Sequence, residues 1–290
     1  MTSAWEDRDS VLQSLPGTFA GTAPDLKGEV ALVTGSGRGL GRGIAEALAK
    51  GGAAVAIHDR TEEAPARYGE CGGLTDVVRE IERRGVRATG VTGDISDEES
   101  VRRLVADAET SLGPISILVN CAGGDIGVNG SKPEPNNALE VPIEDVHAVI
   151  NRNLIGTMLI CRMVCPGMAR RGRGAVINIG SVAGHYGGSP EVAYACAKAA
   201  VLHYTRCLAF EMRNVGVRIN AVSPGPTMTA RFLATRSTDA QMMQHDGPSL
   251  VRYATTEEIA DAVAFLASSQ SRFISGQVLR VDGGSGLYPG

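Results

Sequence analysis

A serine, a tyrosine and a lysine stand close together in the second half of the chain. Ser181 precedes Tyr194 by thirteen residues, and Lys198 follows Tyr194 by four. If residues 194–198 form a helix, four residues make about one turn, so the phenol and the ammonium lie on one face. A phenol loses its proton near pH ~10, and a cation ~5 Å away would lower that pKa by about two pKa units. The trio predicts a general acid–base site for an alcohol or a carbonyl.

A tyrosine and a lysine four residues apart are also common on helix surfaces as a solvated pair. The catalytic interpretation therefore depends on the segments that would position the pair. A helix is predicted from Tyr194 to about residue 214, and the preceding apolar run at 175–179 is predicted to be the strand that delivers Ser181.

A glycine-rich turn between an apolar strand and a helix indicates a phosphate site. Residues 30–34 form a continuous apolar run, as expected for a strand buried on both faces. The turn that follows consists of Gly35, Ser36, Gly37, Arg38, Gly39, Leu40 and Gly41. A second apolar run over 53–58 ends at Asp59, eighteen residues after the last glycine of the turn. Strand, glycine turn, helix, strand and acidic residue are the context of a dinucleotide-binding turn.

The same alternation of apolar runs and helical patterns continues to the end of the chain. Further strands are predicted at 87–92, 115–119, 175–179, 217–222 and 277–281. The pattern predicts an α/β fold, a single doubly wound Rossmann domain with a seven-stranded parallel sheet flanked by helices. This domain would span 26–290, with a substrate-binding lobe at 226–252, after an N-terminal extension at 1–25 that we expect to be loosely ordered.

Helix starts and strand ends organise the predicted domain. Ser96 with Glu99, and Thr255 with Glu258, match the capping box that opens a helix.

Ligands of doubly wound sheets bind beyond the carboxyl ends of the strands. Six of the polar or turn features fall at such ends: the glycine turn, Asp59, Asp94, Asn120, Ser181 and Pro224. Their agreement supports the catalytic interpretation of Tyr194.

With these residues in view, the chain resembles the short-chain dehydrogenase/reductase family over about 26–284. Asn153 on a long predicted helix (143–170), Ser181, Tyr194 and Lys198 match the family's catalytic set. The resemblance implies that Asn153 holds a water of a proton relay. Cys121 stands where the family has the second asparagine of an Asn-Asn-Ala-Gly element, which puts local hydrogen bonding of the sheet in doubt.

The resemblance also implies a nicotinamide cofactor and the residues that bind it. Asp94, with Ile95 beside it, would contact the adenine ring, and Pro224 to Thr229 would receive the nicotinamide amide. The expected cofactor residues are Gly35, Ser36, Gly37, Arg38, Gly39, Leu40, Gly41, Asp59, Arg60, Asp94, Ile95, Asn120, Ala122, Gly123, Tyr194, Lys198, Pro224, Gly225, Thr227 and Thr229. A hydride would pass between nicotinamide and a carbon bearing oxygen, with Tyr194 moving the proton, Ser181 binding that oxygen and Lys198 lowering the phenol pKa.

Cofactor choice depends on three charged residues. Asp59 can accept from the ribose hydroxyls of NAD and repels a 2′-phosphate. Arg60 and Arg38 could instead pair with that phosphate of NADP, or be solvated charges. A carboxylate at the strand end discriminates more directly, so NAD is expected and NADP is the alternative.

The substrate is less well specified by the sequence. His185, Tyr186 and Glu191 lie between Ser181 and Tyr194 and should line its pocket. Polar side chains over 125–137 favour a polar or sugar-like secondary alcohol or ketone. The alternatives are an NADPH-dependent carbonyl or 3-oxoacyl reductase and, less favoured, a nucleotide-binding protein without turnover.

Composition narrows the class of partner. The formal net charge is −4, and 43% of residues are hydrophobic, which argues against nucleic acid and membrane partners. Residues 1–24 lack the apolar run of a signal peptide, and the six cysteines are expected to be buried thiols, so a cytoplasmic protein is predicted. No metal site is expected, since the histidines are scattered. The family resemblance implies a homotetramer.

Overall fold

One seven-stranded sheet runs through the computed structural model, which describes residues 24–188, 190–245 and 247–287. Its strands are β1 (Val30–Thr34), β2 (Ala54–Asp59), β3 (Ala88–Thr92), β4 (Ile117–Asn120), β5 (Gly174–Ile179), β6 (Val217–Pro224) and β7 (Val278–Val281). They pair in parallel in the order β3-β2-β1-β4-β5-β6-β7. The predicted doubly wound parallel sheet is confirmed, whereas most of the predicted N-terminal extension lies outside the described residues.

Helices cover both faces of this sheet. They are α1 (Gly39–Lys50), α2 (Leu74–Glu82), α3 (Glu98–Leu112), α4 (Ile143–Ile150), α5 (Gly156–Arg171), α6 (Val192–Met212), α7 (Ala230–Thr235) and α8 (Thr256–Ala267). One apolar layer joins α1, α2 and α8 to the sheet, and the other joins α3, α5 and α6. Because both faces are covered, the central strands β1 and β4 are buried along their whole length.

The two predicted capping boxes have different outcomes. At α8, the Thr255 side chain accepts from the Glu258 N–H at 3.3 Å, and the Glu258 side chain accepts from the Thr255 N–H. The box predicted from Ser96 is wrong, because α3 is capped by Asp97, which accepts from the Ser100 N–H at 2.7 Å. The Ser96 hydroxyl donates to Asp94 instead, at 2.6 Å.

The long helix predicted over 143–170 contains a π-helical turn. Asn151–Ile155 forms this turn between α4 and α5 without breaking the helix. By length and composition the span Ile143–Arg171 could cross a membrane, but a core helix of a soluble protein passes the same test, and 44% of its apolar window is buried in this fold. The turn matters for the site, since single π turns often mark functional positions.

A polar row crosses the sheet where the strands end. Thr34 of β1 is in register with Asn120 of β4, which is in register with Asn178 of β5. Asn120 donates to Asn178 at 2.8 Å, and Asn178 donates to Thr205 of α6 at 2.9 Å. The Thr34 hydroxyl accepts from the N–H groups of Cys121 and Ala122 at 3.0 and 3.1 Å. This row holds the ends of three strands together although Cys121 replaces the family's asparagine.

The cysteines only partly match the expectation of buried thiols. All six are free, and Cys161 and Cys165 are buried between α5 and the sheet. Cys196 and Cys207 of α6 are exposed, because they lie on the side of that helix opposite its buried residues.

Candidate active site

A cavity of about 650 Å³ opens at the carboxyl ends of the strands. It is lined by the glycine turn, the ends of β2 to β6, the segment carrying Ser181 and Tyr194, and α7 of the predicted lobe. Most predicted site residues line it: Gly35, Arg38, Gly39, Leu40, Gly41, Asp59, Arg60, Asp94, Ile95, Ala122, Gly123, Ser181, Tyr186, Glu191, Tyr194, Lys198, Pro224, Gly225, Thr227 and Thr229. The structure therefore brings predicted residues from seven separate segments into one place.

Five predicted residues have positions behind the cavity wall. Ser36 is fully buried, and its hydroxyl donates to the Val33 carbonyl at 2.6 Å. Gly37 packs on Pro65, and Asn120 belongs to the polar row described above. The His185 ring lies 3.0 Å from the Ser223 hydroxyl, so its predicted place at the pocket edge is not supported. Asn153, the fifth, lies behind the wall and contacts it through hydrogen bonds to Gly124.

The glycine turn shows why small residues are needed there. Gly35 has φ +67°, and a Cβ on it would lie 2.8 Å from the Ala122 Cα. A Cβ on Gly41 would overlap the Gly35 carbonyl, so α1 could not approach the turn. These two positions place the N-terminus of α1 at the cavity, where backbone N–H groups favour anions.

One of these N–H groups already donates a hydrogen bond to an anionic side chain of the protein. Glu70 Oε2 accepts from the Gly39 N–H at 2.8 Å. The loop that carries Glu70 is held over the turn by Arg38, which donates to the Ala64 carbonyl at 2.8 Å and lies over the Tyr68 ring. A carboxylate thus stands in for the phosphate oxygen of a dinucleotide, which indicates that the turn fits such a group.

Asp59 ends β2 beside the glycine turn. Its side chain is largely buried, and Oδ1 accepts from the Arg60 N–H at 2.8 Å. The Arg60 guanidinium pairs with Asp94 at 3.3 Å, with both side chains well exposed. Since Arg60 and Arg38 both have partners on the protein, neither is held ready for an added phosphate.

Ser181, Tyr194 and Lys198 meet at the end of β5. Ser181 caps a short 3-10 turn, and its hydroxyl accepts from the Ala183 N–H at 3.2 Å. Tyr194 and Lys198 lie on one face of α6, with the Lys198 Nζ 5.6 Å from the centre of the Tyr194 ring. Nζ also donates to the Ile179 carbonyl at 2.7 Å. The predicted one-face arrangement of phenol and ammonium is therefore present.

The expected lowering of the phenol pKa is not found. Burial raises the pKa of Tyr194, and it outweighs the hydrogen bond with Ser181, which lowers that pKa. Burial also lowers the pKa of Lys198 from 10.5 to about 8. Both groups are taken out of water, and desolvation is the largest cause of each pKa shift.

Asn153 is fully buried in the π-helical turn and fixes the backbone of Gly124. Its Nδ2 donates to the Gly124 carbonyl at 2.9 Å, and its Oδ1 accepts from the Gly124 N–H at 2.9 Å. Nδ2 also donates to the Val149 carbonyl at 2.8 Å. Because these bonds engage both ends of the amide, Asn153 positions the loop after β4.

His58 is a positioning residue that the sequence analysis missed. Nδ1 accepts from the Gly35 N–H at 3.1 Å, and Nε2 lies 3.1 Å from the Gly93 carbonyl. The ring therefore joins the glycine turn to the loop after β3, with the proton on Nε2. Burial lowers its pKa. The signal in the sequence is a lone imidazole at the end of an otherwise apolar strand.

The predicted Glu191 lies at the substrate side of the cavity, together with two arginines that were missed, Arg231 and Arg236. Glu191 Oε1 accepts from Lys132 at 2.7 Å and from Arg236 at 2.6 Å. Arg231 of α7 projects into the same part of the cavity. Among the residues that the structure describes, no three His, Cys, Asp or Glu side chains are grouped to hold a metal ion.

Comparison with known proteins matches this geometry. A family model described as enoyl-(acyl carrier protein) reductase matches residues 35–286. The cyclohexanol dehydrogenase of Rhodococcus sp. (strain TK6) is 37% identical over an alignment of 273 residues that covers 89% of this chain and 96% of that protein. The chain belongs to the short-chain dehydrogenase/reductase family.

Two further relatives cover the chain to a similar extent. The cis-4-hydroxycyclohexanecarboxylate dehydrogenase of Sinomonas cyclohexanicum is 35% identical over 88% of this chain and 95% of its own. A solved 7α-hydroxysteroid dehydrogenase, complexed with NADH and 7-oxo glycochenodeoxycholic acid, has a TM-score of 0.79 and 30% identity over 92% of this chain and 98% of its own. As a member of the family, this chain is an NAD(P)-dependent oxidoreductase that acts on CH–OH groups of small molecules.

Proposed function

We propose that the chain interconverts a cyclic secondary alcohol and its ketone with NAD, using Ser181, Tyr194 and Lys198 for the chemistry. The observation that carries this proposal is the meeting of the three side chains at the cavity, where Ser181 is close enough to Tyr194 to lower the pKa of its phenol. The names of the three relatives support a ring alcohol. The polar, sugar-like substrate favoured by the sequence stays a prediction.

The residues around Tyr194 divide the work. In the oxidation, the Tyr194 phenolate takes the hydroxyl proton of the alcohol, and in the reduction the Tyr194 phenol gives a proton to the carbonyl oxygen. Ser181 donates a hydrogen bond to the same oxygen. The Lys198 ammonium stabilises the negative charge of the Tyr194 phenolate. When bound, nicotinamide supplies or accepts the hydride. Asn153 contributes by fixing Gly124, and we retain the water relay at Asn153 as a proposal.

Binding of the cofactor falls to residues on the other side of the cavity. The N–H groups of the glycine turn would hold the phosphates, and Asp59 would accept from the adenosine ribose. Asp59 repels an added 2′-phosphate, and the two nearby arginines already have protein partners. These observations support NAD over NADP.

Association and location complete the proposal. We propose a homotetramer that uses α4 to α6, on which Ile155 and Phe210 are 37% and 64% exposed. Light scattering at several protein concentrations tests this.

We propose a cytoplasmic location, which six free thiols suit. Residues 26–290 would form the catalytic domain, with 226–252 as its substrate lobe.

A cofactor and substrate panel tests the function. Initial rates with NAD and NADP would be measured on ring alcohols, sugars, steroids and 3-oxoacyl compounds, in both directions. We expect turnover of ring alcohols with NAD, and Asp59→Ala should raise the relative rate with NADP. Turnover of 3-oxoacyl compounds with NADPH alone would favour the reductase alternative. Cofactor binding without turnover of any compound would contradict the proposal that the chain is an enzyme.

A further inference from the structure

Arg231 lacks a carboxylate partner, whereas three other cations of the cavity have one. Arg60 pairs with Asp94, and Lys132 and Arg236 pair with Glu191. Between the described residues 24–188, 190–245 and 247–287, no ion pair includes Arg231, and its guanidinium makes one hydrogen bond, a long one of 3.4 Å to the Gly123 carbonyl. Burial lowers its pKa. A half-buried guanidinium with so little compensation is costly unless an anion joins it.

The guanidinium lies beside the reacting groups. It lies against Gly124, where an added Cβ would be 2.6 Å from Nη2 and 2.9 Å from Cζ. An added Cβ on the neighbouring Gly123 would be 3.5 Å from the Lys198 Nζ. The charge of Arg231 is also one of the causes that lower the pKa of Tyr194. An anion bound to Arg231 would therefore be close to the substrate oxygen that exchanges a proton with Tyr194.

The cavity as a whole has a positive excess, although the chain is net negative. Eight cationic side chains line it against five carboxylates: Arg38, Arg60, Arg67, Lys132, Arg152, Lys198, Arg231 and Arg236 against Asp59, Glu70, Asp94, Asp125 and Glu191. The two phosphates of a dinucleotide would offset part of this excess.

The part of the cavity near Tyr194 also has more cations than carboxylates. The single carboxylate of Glu191 forms ion pairs with two cations there. The nearby Asp125 is buried, which raises its pKa, and its Oδ2 accepts from Asn136 at 2.8 Å. Asp125 is near enough to Arg231 for the charge of each to affect the pKa of the other, but within the described part of the chain neither carboxylate forms an ion pair with Arg231.

We propose that Arg231 binds a carboxylate on the substrate, so that the preferred substrates are secondary alcohols or ketones that carry a carboxylate group. The planar guanidinium fits a carboxylate through two parallel hydrogen bonds, whereas a neutral alcohol would leave it without compensation. This inference rests on the proposed function and adds the chemical class of the substrate.

The same guanidinium chemistry would also suit a cofactor phosphate, so the test measures the two ligands separately. The full-length protein with saturating NADH is titrated with cyclohexanecarboxylate and with its neutral isostere, cyclohexanecarboxamide. The titrations are repeated with Arg231→Gln, with Arg231→Lys, which keeps the charge, and with the control Arg102→Gln, an exposed arginine of α3 in ion pairs with Glu98 and Glu99. The Kd for NADH is measured for each protein alone.

The expected result is tighter binding of the carboxylate than of the carboxamide by about tenfold to a hundredfold, the range for hydrogen bonds to charged groups. Arg231→Gln should abolish this preference, Arg231→Lys should retain part of it, and Arg102→Gln all of it, with the Kd for NADH within about twofold throughout. Equal binding of the two isosteres by the unchanged protein overturns the proposal, whether or not the variants fold. A loss of NADH binding with the preference retained assigns Arg231 to the cofactor and overturns it too.

Turnover separates this proposal from the proposed function. Both titrations are binding measurements, so they hold even for a protein that oxidises no alcohol. A carboxylate preference without oxidation of 4-hydroxycyclohexanecarboxylate would contradict the proposed function alone. Oxidation of that compound and of cyclohexanol with equal kcat/KM would contradict the role of Arg231 alone.

Discussion

Glu70 Oε2 accepts the Gly39 N–H at 2.8 Å, at the first residue of the helix that begins the dinucleotide-binding unit. The cofactor phosphates and this carboxylate therefore compete for one donor. Arg42 Nη1 also donates to the Glu70 carbonyl at 3.3 Å, so the carboxylate is anchored at its backbone. Cofactor binding requires the Glu70 side chain to leave the turn.

Removal of Glu70 should therefore tighten cofactor binding. Because an anion at a helix N-terminus gains ~0.3–1 kcal/mol, we expect Glu70→Ala to lower the Kd for NADH by roughly two- to fivefold. Fluorescence titration measures this directly. Asp76→Ala is the matched control, since it removes a neighbouring carboxylate that does not contact Gly39. Equal Kd values for the Glu70 variant and the unchanged protein would show that the carboxylate does not compete.

Tyr194→Phe should separate binding from chemistry. The change removes one hydroxyl and keeps the ring that packs near Lys198. We expect kcat to fall by about a hundredfold or more, as general acid–base groups contribute, with the Kd for NADH nearly unchanged. Near-normal turnover in this variant would rule out Tyr194 as the proton-transfer group.

Lys198 should make stability depend on alkaline pH. Its pKa in the fold, about 8, is below its ordinary value of 10.5, so the unfolded chain binds more protons between these values. The free energy of unfolding should then rise with pH across this window, relative to Lys198→Met, by on the order of 3 kcal/mol. Urea denaturation of both proteins from pH 7 to pH 10.5 measures the difference. Parallel curves would show that the buried ammonium does not have the depressed pKa.

His58 should make stability fall in acid. Burial lowers its folded pKa below 6.5, so the unfolded chain binds more protons as the pH falls through 6.5. His58→Asn keeps an acceptor for Gly35 and cannot be protonated. It should cost about 1–2 kcal/mol at pH 7.5, for the lost contact with Gly93, and then lose less stability than the unchanged protein between pH 7 and pH 5. Thermal unfolding across this range tests it, and equal slopes would contradict the assignment.

The features that could be predicted from the sequence are those set by local patterns. The glycine turn, the strand that ends at Asp59, and the spacing of Tyr194 and Lys198 each follow from neighbours along the chain. The prediction for the Tyr194 pKa was wrong for a physical reason. It counted the attraction of a nearby cation but not the desolvation of both groups, which only the packing shows.

The residues that were missed act between distant segments. Glu70 reaches Gly39 across thirty-one residues, and His58 reaches Gly93 across thirty-five. His185 was placed at the pocket by its position between Ser181 and Tyr194, yet its ring turns to Ser223 of β6. A residue's order along a loop does not determine which way its side chain points, so these contacts had to come from the fold.

The contacts of Glu191 limit how the substrate specificity of this enzyme can be changed. It has φ +86°, a left-handed conformation that residues with side chains rarely adopt, and it joins Lys132 to Arg236, the residue that follows α7. Its N–H also donates to the Asn136 carbonyl at 3.1 Å. Glu191 thus couples the loop after β4, the start of α6 and the lobe of α7. Exchanging one of them for a relative's segment should fail unless its partners on the other two are exchanged with it.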